Sequence, residues 1–331
     1  MIISKTPFRI SFFGGGSDLP HWYKKFGGSV ISTTIDKYCY ISLRELPPFF
    51  QHKHRIVYSK VENIIKIKDI KHPAVRAIFT KYKVKNGLEM HHDGDLPARS
   101  GLGTSSSFCV GLINSLYALN KKFISQKELA NEAIYVEQKL LKETVGVQDQ
   151  IAAAFGGFNR INIFKDGTFE IEPITISLQR LNLLQNNLLL FFTGISRYSS
   201  DISKDFVLNN SKNISNISKI ISFVDEAQSI LVNQKMNLDD FGLLLNESWM
   251  IKKQLSERIS NEYIDEIYSK AINAGALGGK ILGAGGGGFI LFYANQSQHK
   301  KIRSVLKSLV EVPFMFENSG SNIVLNNPSG F

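Results

Sequence analysis

Residues 96–112 read LPARSGLGTSSSFCVGL, a run of glycine and hydroxyl residues that leads directly into an apolar segment. Gly101 and Gly103 permit backbone conformations closed to other residues, and the hydroxyl residues 104–106 stand where a helix would begin. Because helical spacing of apolar residues continues for several turns beyond them, a flexible linker is a poor interpretation. A helix start with free N–H groups favours an anion, so the stretch predicts a phosphate-sized binding site. A structural helix with a serine-rich cap is the alternative.

A second glycine cluster, GGKILGAGGGGFILFY, occupies residues 278–293. Gly283, Gly285 and Gly288 satisfy the GxGxxG pattern of dinucleotide-binding folds. That fingerprint needs a strand before it and a helix after it, whereas here the loop runs into the apolar segment FILFYA, which is typical of a strand. The context therefore excludes a Rossmann oxidoreductase. The cluster predicts close approach of two backbones, or of backbone and ligand, and a glycine-rich hairpin is the alternative.

Two carboxylates lie within a short distance of the first glycine loop in sequence. Glu137 falls on an amphipathic helical pattern and Asp149 follows the break at Gly146. Phosphoryl transfer uses such a pair, one to hold Mg²⁺ and one to orient the attacking hydroxyl, although an Asp at a helix start is more often a cap. In TPFRISFFGGGSDLP, Arg9 lies on a predicted strand and Asp18 follows three glycines; a surface cation and a turn residue are the alternatives.

The order of the predicted elements indicates an α+β protein of two lobes. A chain of 331 residues with 43% apolar residues exceeds one compact domain and can build a core in each of two. Short β-rich segments come first and precede helices that begin near residues 106 and 125. Three long helical patterns follow over 201–232, 238–259 and 262–274. The segments GFILFYA and EVPFMFE predict two further strands around a last helix.

The net charge of +10 raises the question of a nucleic-acid partner. The Lys and Arg residues are spread along the chain without any zinc-finger spacing or interleaved aromatic and basic motif, so we expect no nucleic acid. The charge is typical of a Lys-rich solvated surface, and a positive field that attracts anionic small molecules is the alternative. No apolar run reaches the roughly 20 residues that span a bilayer, so we expect no membrane insertion. Cys39 and Cys109 stand in apolar contexts without metal-ligand spacing, which favours free thiols and a cytoplasmic location.

Taken together, PFRISFFGGGSD, LPARSGLGTSSS with GVQDQ, and KILGAGGGGF resemble, in order and spacing, the three motifs of the GHMP kinases, a superfamily of galactokinase, homoserine kinase, mevalonate kinase and phosphomevalonate kinase. With FFTGISR they are most similar to the bacterial D-glycero-D-manno-heptose 7-phosphate kinases. The resemblance implies an N-terminal lobe similar to ribosomal protein S5 domain 2 over residues 1–182. It also implies a ferredoxin-like C-terminal α+β lobe over residues 183–331, with ATP between the lobes.

The resemblance also implies roles for individual residues. Asp149 would be the base or hydroxyl-orienting residue, with Arg9 beside it to favour the charge that develops on the sugar oxygen. Ser105 and Glu137 would bind Mg²⁺. The expected nucleotide-binding residues are Arg99, Ser100, Gly101, Leu102, Gly103, Thr104, Ser105 and Ser106. The expected substrate-binding residues are Asp18, Gly15, Gly16, Arg197, Gly285 and Gly286.

The sequence departs from the family pattern in the first motif, where Gly15 and Gly16 replace the usual glutamate and histidine. We expect the vacated space and the exposed N–H groups to accommodate a longer, phosphorylated sugar. Arg99 stands where relatives often have a small residue, and Arg197 follows a strand that should approach the site. Either guanidinium could hold a distal phosphate by a bidentate contact.

The resemblance implies transfer of the ATP γ-phosphate, with Mg²⁺, to the anomeric hydroxyl of a heptose 7-phosphate, for nucleotide-activated heptose and surface polysaccharide. Another sugar-1-kinase such as an L-fucokinase would keep every catalytic residue. A non-catalytic sensing relative would bind nucleotide without turnover, and intact Asp149, Glu137 and Ser105 argue against it. The expected partners are ATP and a phosphosugar, and a homodimer is an option that the sequence leaves open.

Overall fold

A computed structural model of the chain describes residues 1–195 and 211–328. Its strands are β1 (Ile2–Phe13), β2 (Gly28–Glu45), β3 (His54–Val57), β4 (Val61–Ile64), β5 (Leu88–Gly94), β6 (Phe158–Ile163), β7 (Phe169–Pro173), β8 (Leu188–Phe192), β9 (Gly278–Ile281), β10 (Phe289–Tyr293), β11 (Val310–Glu311), β12 (Phe316–Glu317) and β13 (Asn322–Asn326). Its helices are α1 (Pro20–Phe26), α2 (Pro73–Lys81), α3 (Thr104–Leu119), α4 (Gln126–Tyr135), α5 (Gln148–Phe155), α6 (Leu178–Asn186), α7 (Ser211–Val232), α8 (Asp239–Lys253), α9 (Glu262–Asn273) and α10 (Gln296–Val305). A 3₁₀ turn spans Ile67–Asp69 and a π-helical turn spans Val136–Leu140.

The first lobe is built on a nine-stranded sheet. Its main path runs β13-β1-β2-β5-β3-β4, with β6 and β12 also paired to β2 and β7 paired to β6. The long strands β1 and β2 form the centre, and α3 packs on both of them. Strand β1 is buried on both faces over its second half, because α3 and α5 cover one side and helices of the second lobe reach the other. The polar side chains in this half of β1, Arg9 and Ser11, contact residues of α5.

The second lobe is built on a four-stranded antiparallel sheet in the order β11-β8-β10-β9. Helix α8 packs along β9, and α7 packs along α8. Both helices also contact β1 of the first lobe. A side chain near the end of α8 can consequently reach the same space as a side chain from β1.

The end of the chain returns to the first sheet. The predicted strand EVPFMFE is two strands: β11 pairs with β8 in the second sheet, and β12 pairs with β2 in the first. Pro313 between them has no N–H to donate to a ladder. Strand β13 then pairs with β1, whose edge would otherwise be open. The predicted C-terminal lobe of residues 183–331 thus contributes its last strands to the other lobe, and the predicted boundary falls inside α6.

Side-chain caps begin helices α2, α4, α6 and α9. Ser125 and Glu128 form a capping box at α4, and Asn261 caps α9 through its side chain. Helix α3 is different, because its N-cap is Gly103 and no side chain accepts a hydrogen bond from its first turn. Across residues 1–195 and 211–328, no helix is long and apolar enough to cross a membrane.

Candidate active site

The centre of the site is an ion pair between Arg9 on β1 and Asp149 in the first turn of α5. Arg9 Nε donates to Asp149 Oδ1 and Nη2 donates to Oδ2, each at 2.7 Å. The third guanidinium nitrogen, Nη1, donates to the carbonyl of Gly101 at 2.6 Å. The backbone N–H of Arg9 donates to Leu102 O at 3.1 Å. Arg9 therefore holds the carboxylate and the glycine loop in one arrangement, with its own side chain almost fully buried.

The uncapped start of α3 opens beside this pair. Gly103 has φ +72°, and a Cβ at this position would lie 3.3 Å from Asp149 Oδ2. The N–H groups of the first helical turn and the Asp149 carboxylate therefore border the same space. Free N–H groups at a helix N-terminus bind anions, and an anion placed here would lie within reach of a hydroxyl held by Asp149.

The two glycine clusters of the sequence pack against each other. A Cβ on Gly101 would lie 2.4 Å from Leu282 O, and a Cβ on Gly283 would lie 2.7 Å from Gly101 Cα. The N–H of Phe289 donates to Ser100 O at 3.0 Å. The close approach that the glycines predict is thus between two backbones, and it shapes the loop that precedes α3.

Two further glycines of the second cluster, Gly285 and Gly286, were expected at the substrate. They lie against Ile259, whose carbonyl accepts a hydrogen bond of 2.8 Å from the N–H of Gly286. Their role toward a substrate stays a prediction.

Glu137 is fully buried behind the start of α3. Its Oε2 accepts a 2.7 Å hydrogen bond from Ser106 Oγ and another from Gln150 Nε2, while Oε1 has no partner in the described part of the chain. Burial raises the pKa of Glu137 to about 7, against the opposing effect of the two hydrogen bonds. The π-helical turn that follows α4 places this carboxylate, and such turns are frequent at functional sites.

The serine beside Glu137 is Ser106, whereas the side chain of Ser105, its expected partner at Mg²⁺, is exposed. Among described residues, no three His, Cys, Asp or Glu side chains cluster in a way that could hold a metal. Mg²⁺ often binds through only one or two protein ligands together with nucleotide phosphates. The orphaned Glu137 oxygen fits that chemistry, and the assignment of Ser105 and Glu137 to Mg²⁺ stays a prediction.

Asp18 forms a second buried carboxylate close to Asp149. Its Oδ1 accepts a 3.0 Å hydrogen bond from the N–H of Gly16. A Cβ on Gly146 would lie 1.7 Å from Asp18 Oδ2, so only glycine fits at that position. Burial raises the pKa of Asp18, and the charge of Asp149 adds to the effect. A Cβ on Gly16 would meet nothing within 4 Å, so there is open space over Gly16, whereas a Cβ on Gly15 would lie 3.8 Å from Ser11 Oγ.

Of the two arginines proposed to bind a distal phosphate, the structure describes only Arg99. Arg99 is exposed, has φ +60°, and donates its backbone N–H to Thr104 Oγ1 at 3.1 Å. Arg197 lies outside the described residues.

Two lysines that the sequence analysis did not single out are buried between the lobes. Lys252, near the end of α8, donates from Nζ to Gly283 O at 2.5 Å. Lys280, on β9, donates from Nζ to Ser11 O at 2.9 Å and to Phe12 O at 2.7 Å. The burial of Lys252 could have been predicted from the sequence, because Lys252 follows Trp249 by three residues and therefore lies on the same, buried face of the helix.

Free N–H groups at a helix start beside a carboxylate held by an arginine fit a phosphotransferase. The GHMP kinases N terminal domain matches residues 66–157, and the GHMP kinases C terminal domain matches residues 230–311. A D-glycero-alpha-D-manno-heptose 7-phosphate kinase of Campylobacter jejuni is 30% identical over 320 residues, 92% of this chain and 93% of that protein. The chain belongs to the GHMP kinase family, whose phosphate donor is ATP.

Two other similarities extend the comparison. A bifunctional fucokinase/GDP-fucose pyrophosphorylase of Arabidopsis thaliana is 25% identical over 334 residues, 93% of this chain and 31% of that longer protein. A solved D-glycero-D-manno-heptose 1-phosphate kinase from Bacteroides thetaiotaomicron has a TM-score of 0.79 at 24% identity and covers 97% of this chain and 98% of that chain. The predicted two-lobed GHMP kinase fold and the predicted class, a sugar phosphotransferase, are confirmed.

Proposed function

We propose that the protein transfers the γ-phosphate of ATP to the anomeric hydroxyl of D-glycero-D-manno-heptose 7-phosphate, giving the 1,7-bisphosphate. The choice of sugar is supported by the Campylobacter jejuni relative, which matches over nearly the full length of both chains. The choice of reaction is supported by one observation above all, the bidentate Arg9–Asp149 pair at the uncapped start of α3. The product would supply a pathway to nucleotide-activated heptose and surface polysaccharide in the cytoplasm.

Each part of the pair has a chemical task in this proposal. An Asp149 oxygen that accepts from Arg9 keeps a lone pair for the acceptor hydroxyl, so the carboxylate orients that hydroxyl toward the γ-phosphorus. The hydroxyl oxygen forms the new P–O bond, the bond to the β-phosphate oxygen breaks, and the proton passes to Asp149. Arg9 favours the negative charge that develops on the attacking oxygen.

The glycine loop and α3 hold the donor. The N–H groups at the start of α3 would bind the ATP phosphates, with Thr104 and Ser105 adding hydroxyl donors. Glu137, through its free oxygen, and Ser105 would hold Mg²⁺, which neutralises phosphate charge when bound.

The acceptor would lie on the other side of Asp149. Asp18 would accept hydrogen bonds from sugar hydroxyls, and the open space over Gly16 would admit the longer phosphosugar. Arg99 or Arg197 would bind its distal phosphate.

The test is turnover of Mg-ATP with a panel of heptose 7-phosphate, heptose, L-fucose, galactose and mevalonate, followed by ADP release and by phosphorus NMR of the products. We expect a new anomeric phosphate with heptose 7-phosphate. Asp149→Asn should lower kcat by at least about a hundredfold, because general base and orienting groups contribute that much. Turnover of L-fucose instead would replace the substrate and keep the chemistry. ATP binding without turnover of any acceptor would contradict the proposed reaction.

A further inference from the structure

Lys252 is a buried cation with unused hydrogen-bonding capacity. Its residue is only 8% exposed, and in the described part of the chain its Nζ has one hydrogen-bond acceptor, Gly283 O, and no carboxylate within ion-pair distance. An ammonium group carries three donors, so two are left for a ligand. Its neighbour Lys253 is partly exposed and forms an ion pair with Asp265 at 3.0 Å.

Lys252 lies between the proposed ATP-binding part of the site and the proposed sugar-binding part. Gly283, its acceptor, packs on Gly101, and Gly101 in turn accepts from Arg9. The charges of Arg9 and Asp18 both act on Lys252, the first repelling it and the second attracting it. Lys252 in the second lobe and Asp18 in the first lobe are therefore close enough for their charges to interact.

Lys280, at the same interface between the lobes, has the hydrogen bonds expected of a structural lysine. Its Nζ donates to two carbonyls of β1, Ser11 O and Phe12 O, and so connects the second lobe to the first. Removing it would leave two buried acceptors unpaired. Removing Lys252 would leave only Gly283 O.

The isolation of Lys252 is unfavourable for folding. A buried ammonium with a single hydrogen bond is disfavoured relative to water, and burial lowers the pKa of Lys252 to about 8. Groups that break a rule of folding without compensation are concentrated at functional sites. A hydroxyl both donates and accepts, so a sugar between Asp18 and Lys252 would satisfy the carboxylate with its proton and the ammonium with its oxygen lone pair.

We propose that Lys252 binds the acceptor sugar by donating a hydrogen bond to one of its oxygens. This inference rests on the proposed function and adds a residue of the second lobe to the substrate site. Sugar hydroxyls and the sugar's own phosphate present the same chemistry to an ammonium, oxygen acceptors in a cleft, and the substrates in the test separate them.

The test compares Lys252→Met with two matched controls, Lys253→Met on the neighbouring surface and Lys280→Met at the lobe interface. The acceptor is whichever sugar of the panel the wild type phosphorylates, so a wrong heptose assignment leaves this test intact. Steady-state kinetics give kcat and the KM values for the sugar and for ATP. Calorimetry gives the affinity of the protein for the sugar in the presence of a non-hydrolysable ATP analogue. Thermal melting shows whether each variant is folded. Lys252→Gln serves as a second variant should Lys252→Met fail to fold.

We expect Lys252→Met to raise the acceptor KM and dissociation constant at least about tenfold, since hydrogen bonds to charged groups carry that much affinity. Its ATP affinity and melting temperature should stay at or above wild type. Lys253→Met should change little, and Lys280→Met should melt earlier. An effect on the 7-phosphate sugar but not on the unphosphorylated sugar would assign the contact to the phosphate, and an equal effect on both would assign it to a hydroxyl. Unchanged acceptor affinity, or an equal loss of ATP affinity, would overturn the proposal.

Discussion

At the scale of single residues, the site depends on charges that are held in fixed pairs. The Arg9 guanidinium uses its planar geometry to contact both oxygens of Asp149 and the Gly101 carbonyl at once. A lysine has a single nitrogen and cannot make those three contacts. Arginine thus does more than supply charge here, because it also sets the distance between the glycine loop at Gly101 and the carboxylate.

The raised pKa of Glu137 predicts that the free energy of unfolding depends on pH. Its folded pKa of about 7 lies above the ordinary 4.5, so the neutral form is favoured in the folded state. Its contribution to stability is complete below pH 4.5 and is lost as the pH rises through 7. Glu137→Gln cannot ionise, and at pH 8.5 the metal-free variant should be more stable than wild type by up to about 3 kcal/mol.

The measurement is urea unfolding in EDTA at pH 5.5, 7 and 8.5 for both proteins. Other titrating groups are common to both, so only the difference between the two curves reports on Glu137. That difference should grow with pH. Parallel curves would contradict a raised pKa at this position.

At the scale of elements, the glycine loop at residues 101–103, for which we propose phosphate binding, packs against a neighbouring loop that limits its shape. Gly283→Ala would place a methyl group 2.7 Å from Gly101 Cα and would push the loop away from α3. A displacement of about 1 Å in such a site can change rates by about a hundredfold, so we expect the KM for ATP to rise at least tenfold. Nucleotide titration and steady-state kinetics measure it.

Gly167→Ala is the control for this variant. Gly167 also has positive φ, +88°, but the nearest atom to its Cβ is 3.7 Å away on Tyr23, and the turn joins β6 to β7. It should share the backbone strain and leave ATP affinity unchanged. Equal effects of the two variants on ATP would show that strain, and not the contact between loops, is responsible.

At the scale of the whole molecule, the chain end completes the first lobe. Ser321 shares a 2.8 Å hydrogen bond with Thr6 Oγ1, its carbonyl accepts from Asn114, and its N–H donates to Ala153 O. A chain ending at residue 312 would lose β12 and β13 and expose the edge of β1. Its melting temperature should fall by roughly 10 °C, since several kcal/mol are lost.

The milder variant Ser321→Ala should lower stability by about 1 kcal/mol, because it removes side-chain hydrogen bonds and keeps the strand. Calorimetry of the three proteins gives the comparison. A truncated chain that melts together with the full-length protein would show that β12 and β13 contribute no stability to the first sheet.

The sequence by itself determined the features that depend on local chemistry. Glycine and hydroxyl residues before apolar helical spacing predict α3, and the strand that follows the second cluster excludes a Rossmann fold. The anion site at the start of α3 stays a prediction. The cap of α4 is readable from Ser125 and Glu128 in the same way. The residues that form such features are neighbours in sequence and in space, so the local sequence pattern is enough to predict them.

Only the tertiary structure decided which distant groups meet. The family resemblance implied that Arg9 lies beside Asp149, 140 residues away, but the spacing alone does not, and the structure adds the two hydrogen bonds between them. Ser106 rather than Ser105 reaches Glu137, and Lys252 is buried against Gly283 O. Strand β13 likewise returns to β1 across the whole chain. Burial and close packing select these partners, because each depends on how sheets and helices stack, and spacing along the chain carries no record of that stacking.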